Sequence, residues 1–135
     1  MRVVLDANVV FAGVGWGGEA HRCLLAMARR QMVVFATLEI LEEVRSLVGE
    51  RGDQFKHPPH NLLARYYDQM KLVEPSPLGR QRSRDATDDL YLACALSAGA
   101  KVIVSRNDDL LALKKPFGIE IITPRELLRR LTKST

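Results

Sequence analysis

The chain has 135 residues, 47% hydrophobic and 6% aromatic, with a formal net charge of +4 and a pI near 9.3. These numbers predict one globular domain with a mostly aliphatic core. No apolar stretch reaches membrane-spanning length, nothing resembles a signal peptide, and there is no internal repeat or low-complexity tail.

The basic balance favours an anionic partner, nucleic acid foremost, although a basic protein without such a partner fits the same numbers. The two cysteines, Cys23 and Cys94, lie in apolar helical stretches. They read as reduced core thiols of a cytosolic protein, not as a disulfide framework or a metal knuckle.

In chain order, Arg2 to Asp6 predicts a buried strand, rich in β-branched residues. A glycine-rich turn is expected around Gly13, Gly15, Gly17 and Gly18. Glu19 to Gln31 predicts a helix with Ala20, Leu24, Met27 and Ala28 on one face, and Met32 to Ala36 a second strand. Thr37 is placed to cap a helix over Leu38 to Val48. Gly49 to Pro59 reads as loop, Asn61 to Met70 as a helix and Leu72 to Glu74 as a short strand.

Pro75 to Thr87 is polar and turn-rich. Asp88 to Ala98 predicts a helix that is apolar almost all round, hence buried, and Gly99 ends it. Lys101 to Ser105 predicts a strand, Asp108 to Leu113 a short helix and Glu120 to Ile122 the last strand. Thr123-Pro-Arg-Glu126 is a capping box with proline at the first helical position. Strands alternating with helices predict a three-layer α/β/α sandwich around a central, mostly parallel sheet. Sites in such sheets form at the carboxyl ends of the strands. Asp6, Ser105 and the Asn107-Asp108-Asp109 cluster all fall at such ends.

A carboxylate in a buried strand is costly unless something pairs with it. The helix after Thr37 carries Glu39, Glu42 and Glu43 beside an apolar stripe of Ile40, Leu41, Val44, Leu47 and Val48. At about 100° per residue, Glu42 falls opposite that stripe and Glu39 nearly as far round. Glu43 lies at its edge, half-buried and aimed inward. Asp88 and Asp89 open the buried helix. They could simply complement the helix dipole and cap free N–H groups, as could Asp108 and Asp109; Asp6 could be a turn-former.

The convergence argues for more. Asp6, Glu43, Asp88 and the Asn107 to Asp109 cluster share one predicted end of one sheet. Crowded carboxylates repel unless some stay protonated or a cation joins them. Oxygen-only donors select hard ions, Mg²⁺ or Mn²⁺. Such an ion in a basic protein suits attack on a phosphodiester.

The segments VVLDANVV, LEEV and DATDDLYLACALSAGAKVIVSRNDDL, with the closing ITPRE, resemble the PIN-domain ribonucleases, and among them the VapC-like toxins of toxin–antitoxin pairs. The resemblance runs from Arg2 to about Leu131. It implies metal-ligating acids at Asp6, Glu43 and Asp88, with Asn8 and Asp89 in support. It places the family's Thr/Ser-x-Asp motif on Ser105-Arg106-Asn107, where Asn107 offers one neutral oxygen in place of a carboxylate; Asp109 is positioned to compensate. The expectation is therefore one firmly bound Mg²⁺ or Mn²⁺ and a weak second. The resemblance further implies RNA cleavage leaving a 5′-phosphate and a 3′-hydroxyl, a homodimer or higher oligomer, a cytoplasmic location and a small antitoxin partner.

Arg80, Arg82 and Arg84, with Arg106, are candidate RNA contacts. They also read as a solvated basic loop, or as the seat of an acidic antitoxin tail. His57-Pro-Pro-His60 reads as loop and not as a metal site. Trp16 is placed either to stack a base or to plug the core edge.

Three rival readings stand beside the nuclease. One is a PIN-fold binding module without catalysis. Another is a housekeeping PIN nuclease in RNA maturation. The third, a phosphoacceptor receiver, needs an aspartate at the third strand's end, and Lys71-Leu-Val-Glu-Pro75 offers none.

Overall fold

The computed structural model describes residues 1–56 and 61–133. The His57 to His60 stretch lies outside the described residues. Five strands form the sheet: β1 (Arg2–Leu5), β2 (Val33–Ala36), β3 (Lys71–Leu72), β4 (Val102–Val104) and β5 (Glu120–Ile122). Around them lie α1 (Ala7–Gly15), α2 (Glu19–Ala28), α3 (Leu38–Arg51), α4 (Asn61–Gln69), α5 (Asp89–Ala98), α6 (Asp108–Leu111) and α7 (Pro124–Lys133).

The strand order is β3-β2-β1-β4-β5, and every pairing is parallel. Val3 stands between Val34 and Val102, fixing the central register. The chain builds outward from β1 to β3, then crosses to β4 on the other side. The carboxyl ends of β1 and β4 therefore flank the point where the winding reverses, the crevice in which open parallel sheets bind ligands.

The central strands read as apolar runs because both faces are covered. Val3, Val4, Leu5, Ile103 and Val104 are almost wholly buried, and they join Leu24, Met27, Ile40, Leu92 and Leu127 in the core. Each such side chain contributes about 1.5–3 kcal/mol by leaving water. Cys23 and Cys94 are both buried and unpaired; burial pushes the Cys23 thiol up to about 12. Among the described residues no helix is long and apolar enough to cross a membrane.

Several boundaries follow the sequence closely. Thr37 Oγ1 accepts the Ile40 N–H at 3.3 Å, capping α3. Thr123 Oγ1 accepts the Glu126 N–H at 3.2 Å at the start of α7. The other half of that capping box is used differently: the Glu126 carboxylate turns to Arg129 and Arg130. Gly99 ends α5 in the left-handed region, with φ 64°.

The main difference is α1. The sequence reading ends the first strand at Asp6 and expects a turn around the four glycines, yet residues 7–15 are helical. The Asp6 side chain starts this helix by accepting the Asn8 N–H at 3.0 Å. Only Gly17 and Gly18 remain in the turn. Gly13 is inside the helix because α2 presses on it. A Cβ there would sit 2.7 Å from both Ala20 O and Leu24 Cδ1. Gly13→Ala is therefore expected to destabilise the fold by about 1–3 kcal/mol, read as a lowered urea midpoint.

The predicted loop from Gly49 is helical to Arg51 and then forms a short 3₁₀ turn over Gly52–Gln54. Trp16 packs edge-on against Phe11 and Phe55, with ring centres 5.5 and 5.6 Å away. Of the two roles the sequence leaves open for it, the core-edge plug is the one this packing describes.

Candidate metal and phosphodiester site

Asp6 follows the last residue of β1 and is 2% exposed. Its backbone N–H donates to Val104 O at 2.9 Å, extending the sheet by one bond. One carboxylate oxygen caps α1 through Asn8 N–H; the other accepts from Ser105 Oγ at 2.7 Å. Ser105 is wholly buried at the end of β4. Its hydroxyl oxygen also accepts the Asn107 N–H at 2.9 Å. Asn107 Nδ2 then donates to Asp88 Oδ1 at 3.0 Å, while its Oδ1 accepts the Asp109 N–H at 2.8 Å. A continuous chain, Asp6–Ser105–Asn107–Asp88, thus joins two carboxylates across the crevice.

Asp88 is 5% exposed, and its second oxygen accepts from Ser83 Oγ at 3.2 Å. Burial pushes its carboxyl above the ordinary Asp value, and the charges of Asp85, Asp6 and Asp109 push the same way, against the Ser83 hydrogen bond. The raised folded value sets the sign of a pH effect. The cost of ionising Asp88 is absent below the unfolded value and builds as pH rises through the folded one. In EDTA, stability lost by the parent between about pH 3 and pH 6 should exceed that lost by Asp88→Asn. Urea midpoints over that range check it.

Glu43 is half-buried, on the face of α3 that its spacing predicts. A residue the sequence reading passed over holds it there. Tyr91, 2% exposed on α5, donates its hydroxyl to Glu43 Oε2 and accepts the Ala7 N–H at 3.2 Å. Burial first, then the charge of Asp6 and the bond to Glu43, raise this phenol so that it stays protonated. The signal was available: a buried phenol needs a partner, and Tyr91 stands one turn after Asp88 in an otherwise apolar helix.

Glu39, expected to lie nearly as far from the core as Glu42, is half-buried with Oε1 enclosed and unpartnered among the described residues. Together with Asn8, Glu42, Glu43, Ser46, Leu47 and Leu90 it lines a cavity of about 470 Å³.

The remaining residues divide by role. Asp89 clamps the preceding loop, its two oxygens accepting the Arg82 and Ser83 N–H groups at 2.8 Å each. Arg82 is engaged with the fold: its guanidinium donates to Leu78 O at 3.0 Å and lies 4.8 Å from the centre of the Phe117 ring. Arg84 is exposed and approaches Asp109 at 3.8 Å. Arg80 and Arg106 are exposed.

The donor set can be tested against a cation. Among the described residues, no three His, Cys, Asp or Glu side chains converge closely enough to hold a metal ion as they stand. Asp6 and Asp88 are instead bridged by Ser105 and Asn107. Yet none of the ion pairs among the described residues includes Asp6, Asp88 or Glu43. Two buried carboxylates without a basic partner, surrounded by oxygen donors, are the chemistry a hard divalent cation satisfies.

The fold has known counterparts. A crystal structure of PAE2754 from Pyrobaculum aerophilum superimposes with a TM-score of 0.64 at 21% identity, over 98% of this chain and 90% of that one. VapBC2 from Rickettsia felis, bound to a DNA fragment from their promoter, gives 0.59 at 13% identity, over 91% and 98%. At these identities the likeness is one of fold. No curated protein matches the sequence significantly. The sequence pattern of the PIN domain matches residues 2–109, most of the chain and every acid of the site, and the chain belongs to the PIN-domain family.

Proposed function

We propose that the chain is a metal-dependent endoribonuclease and the toxin of a toxin–antitoxin pair. One observation carries the reading: Asp6 and Asp88, both buried, face one crevice with no basic partner among the described residues and are tied together through Ser105 and Asn107. Membership of the PIN-domain family and the VapC-like sequence pattern support a nuclease. The fold likeness to VapBC2 supports a small antitoxin partner.

Asp6, Glu43 and Asp88 would hold Mg²⁺ or Mn²⁺, with Asn107 and Asp109 as further oxygen donors. When bound, such an ion makes water nucleophilic near neutral pH and neutralises charge on a phosphodiester. The chain's own residues do the positioning. Ser105 fixes the Asp6 carboxylate, Tyr91 fixes Glu43, and Asn107 and Ser83 fix Asp88. Asp89 holds the loop that delivers Ser83. Arg80, Arg84 and Arg106 remain exposed for phosphate contacts, and Arg82 shapes the loop that carries two of them.

The test is incubation of the purified protein with a pool of labelled RNAs. The reading expects cutting in Mg²⁺ or Mn²⁺, none in EDTA, and products bearing a 5′-phosphate. RNA that binds and is never cut, in any divalent ion, favours a second reading, the PIN-fold binding module. That reading draws on Asn107, whose amide is hydrogen-bonded at both ends and brings no charge.

A further inference from the structure

An acidic crevice repels the polyanion it is proposed to cut, so cations must lead the strand to it. The basic loop before α5 supplies fewer than its sequence suggests, because Arg82 is held by Leu78 O and Phe117. A second source lies on the far side of Arg106.

Helices α2 and α7 lie side by side and in the same direction. Glu19 pairs with Arg125 at 3.4 Å, and Cys23 Sγ donates to Pro124 O at 3.6 Å, which fastens their N-terminal ends together. Two hollows of about 470 Å³ each run between the helices and share Arg22, Leu128 and Thr132, so they form one continuous groove. Its floor is apolar, from Leu25, Leu128 and Leu131, and its rim is basic.

Two of the four arginines lining it already face acids: Arg125 pairs with Glu19 and Arg129 with Glu126. Arg22 and Arg29 are exposed and have no carboxylate partner among the described residues. They stand two turns apart on one side of α2, about 10 Å along its axis. The upper end of the groove lies beside the end of β4: Thr123 lines it, and the preceding Ile122 accepts the Ser105 N–H at 2.9 Å. Arg106 directly follows Ser105. Going away from the site, the unpaired cations therefore come in the order Arg106, Arg22, Arg29.

We infer that the α2–α7 groove is a binding track for the RNA backbone, entered over Arg106, with Arg22 and Arg29 holding phosphates of the strand flanking the cleaved bond. The inference rests on the nuclease reading for its ligand and adds to it the direction in which the strand runs. Free arginines above an apolar floor suit single-stranded RNA, whose backbone takes the charge while its sugars and bases cover the apolar surface.

The test is binding of a labelled single-stranded RNA in EDTA, where metal-dependent cutting is silent, across a salt series. Arg22→Gln/Arg29→Gln is compared with Arg45→Gln/Lys101→Gln, which removes the same net charge from exposed positions elsewhere. All four sites are exposed, so the folds should survive, and thermal unfolding checks this. Loss of two single-strand phosphate contacts should lower the slope of log affinity against log salt by about 1.4 and weaken binding at least about tenfold. The control pair should leave the slope at the parent value.

An unchanged slope in the Arg22/Arg29 variant, with the parent binding RNA, overturns the track and leaves the nuclease reading standing. Equal losses in both pairs also overturn it, since diffuse charge then explains the binding. Loss of affinity for an acidic peptide with RNA binding intact overturns it in favour of a protein partner. A parent that binds no RNA at any salt overturns the nuclease reading and the track together.

Discussion

Asp6→Asn should abolish cleavage while the protein stays folded. The substitution keeps one oxygen to accept the Asn8 N–H that starts α1. The other oxygen becomes an amide facing Ser105 Oγ, now 2.7 Å away, and the serine hydroxyl can turn to accept from it. The structural cost is thus about one hydrogen bond, roughly 1 kcal/mol. Removing a buried charge that lacks a basic partner among the described residues offsets part of it.

The catalytic cost is larger. A cation's stabilisation of developing charge is worth several kcal/mol. At 1.36 kcal/mol per decade, losing about 4 kcal/mol slows cutting about 10³-fold. Matched urea midpoints and rates in Mn²⁺ check both halves. Cutting retained within about tenfold would remove Asp6 from the site. Asp6→Ala is the poorer probe, because losing the cap alone costs about 0.5–2 kcal/mol.

Tyr91→Phe should act on stability and on activity together. Phenylalanine fills the same space but leaves the buried Ala7 N–H without its acceptor and Glu43 without its donor. An unpaired buried N–H costs about 1–3 kcal/mol. A positioning partner of a metal-ligating side chain is worth about 10–100-fold in affinity or activity. A purely structural role would not make the loss depend on metal; here, raising Mn²⁺ should restore part of the rate. Tyr66→Phe is the contrast. The Tyr66 hydroxyl is buried with no hydrogen-bond partner among the described residues. Deleting it removes a desolvation cost and should leave stability equal or higher. Equal effects of the two changes would contradict the role given to Tyr91.

What the sequence made legible and what it hid follow one rule. Features set by a residue and its near neighbours were readable. The last strand was found residue for residue, Gly99 ends α5 as expected, and Thr37 and Thr123 cap as expected. Glu43 was separable from Glu42 by helical angle alone. Features set by partners distant in sequence were not. Helix α1 was missed because valines favour strands and glycines favour turns. The Asp6 cap and the pressure of α2 on Gly13 override both preferences.

Arg82 read as free because its partners, Leu78 O and Phe117, are a loop contact and a long-range one. Asp89 reads like Asp88 in sequence, yet one clamps a loop and the other faces the crevice. Glu39 was misplaced because helical angle ranks faces against one stripe, whereas the cavity lies between α3 and α5.

The proposed chemistry requires the buried acids at the end of the sheet to be a cation site. Calorimetric titration of the purified protein with Mn²⁺, alongside Asp6→Asn, measures this directly. One tightly bound ion, a weak second and loss of the tight one in the variant are the predicted result. A folded parent that binds no Mn²⁺, two equally tight ions, or a tight ion undisturbed by Asp6→Asn would contradict it.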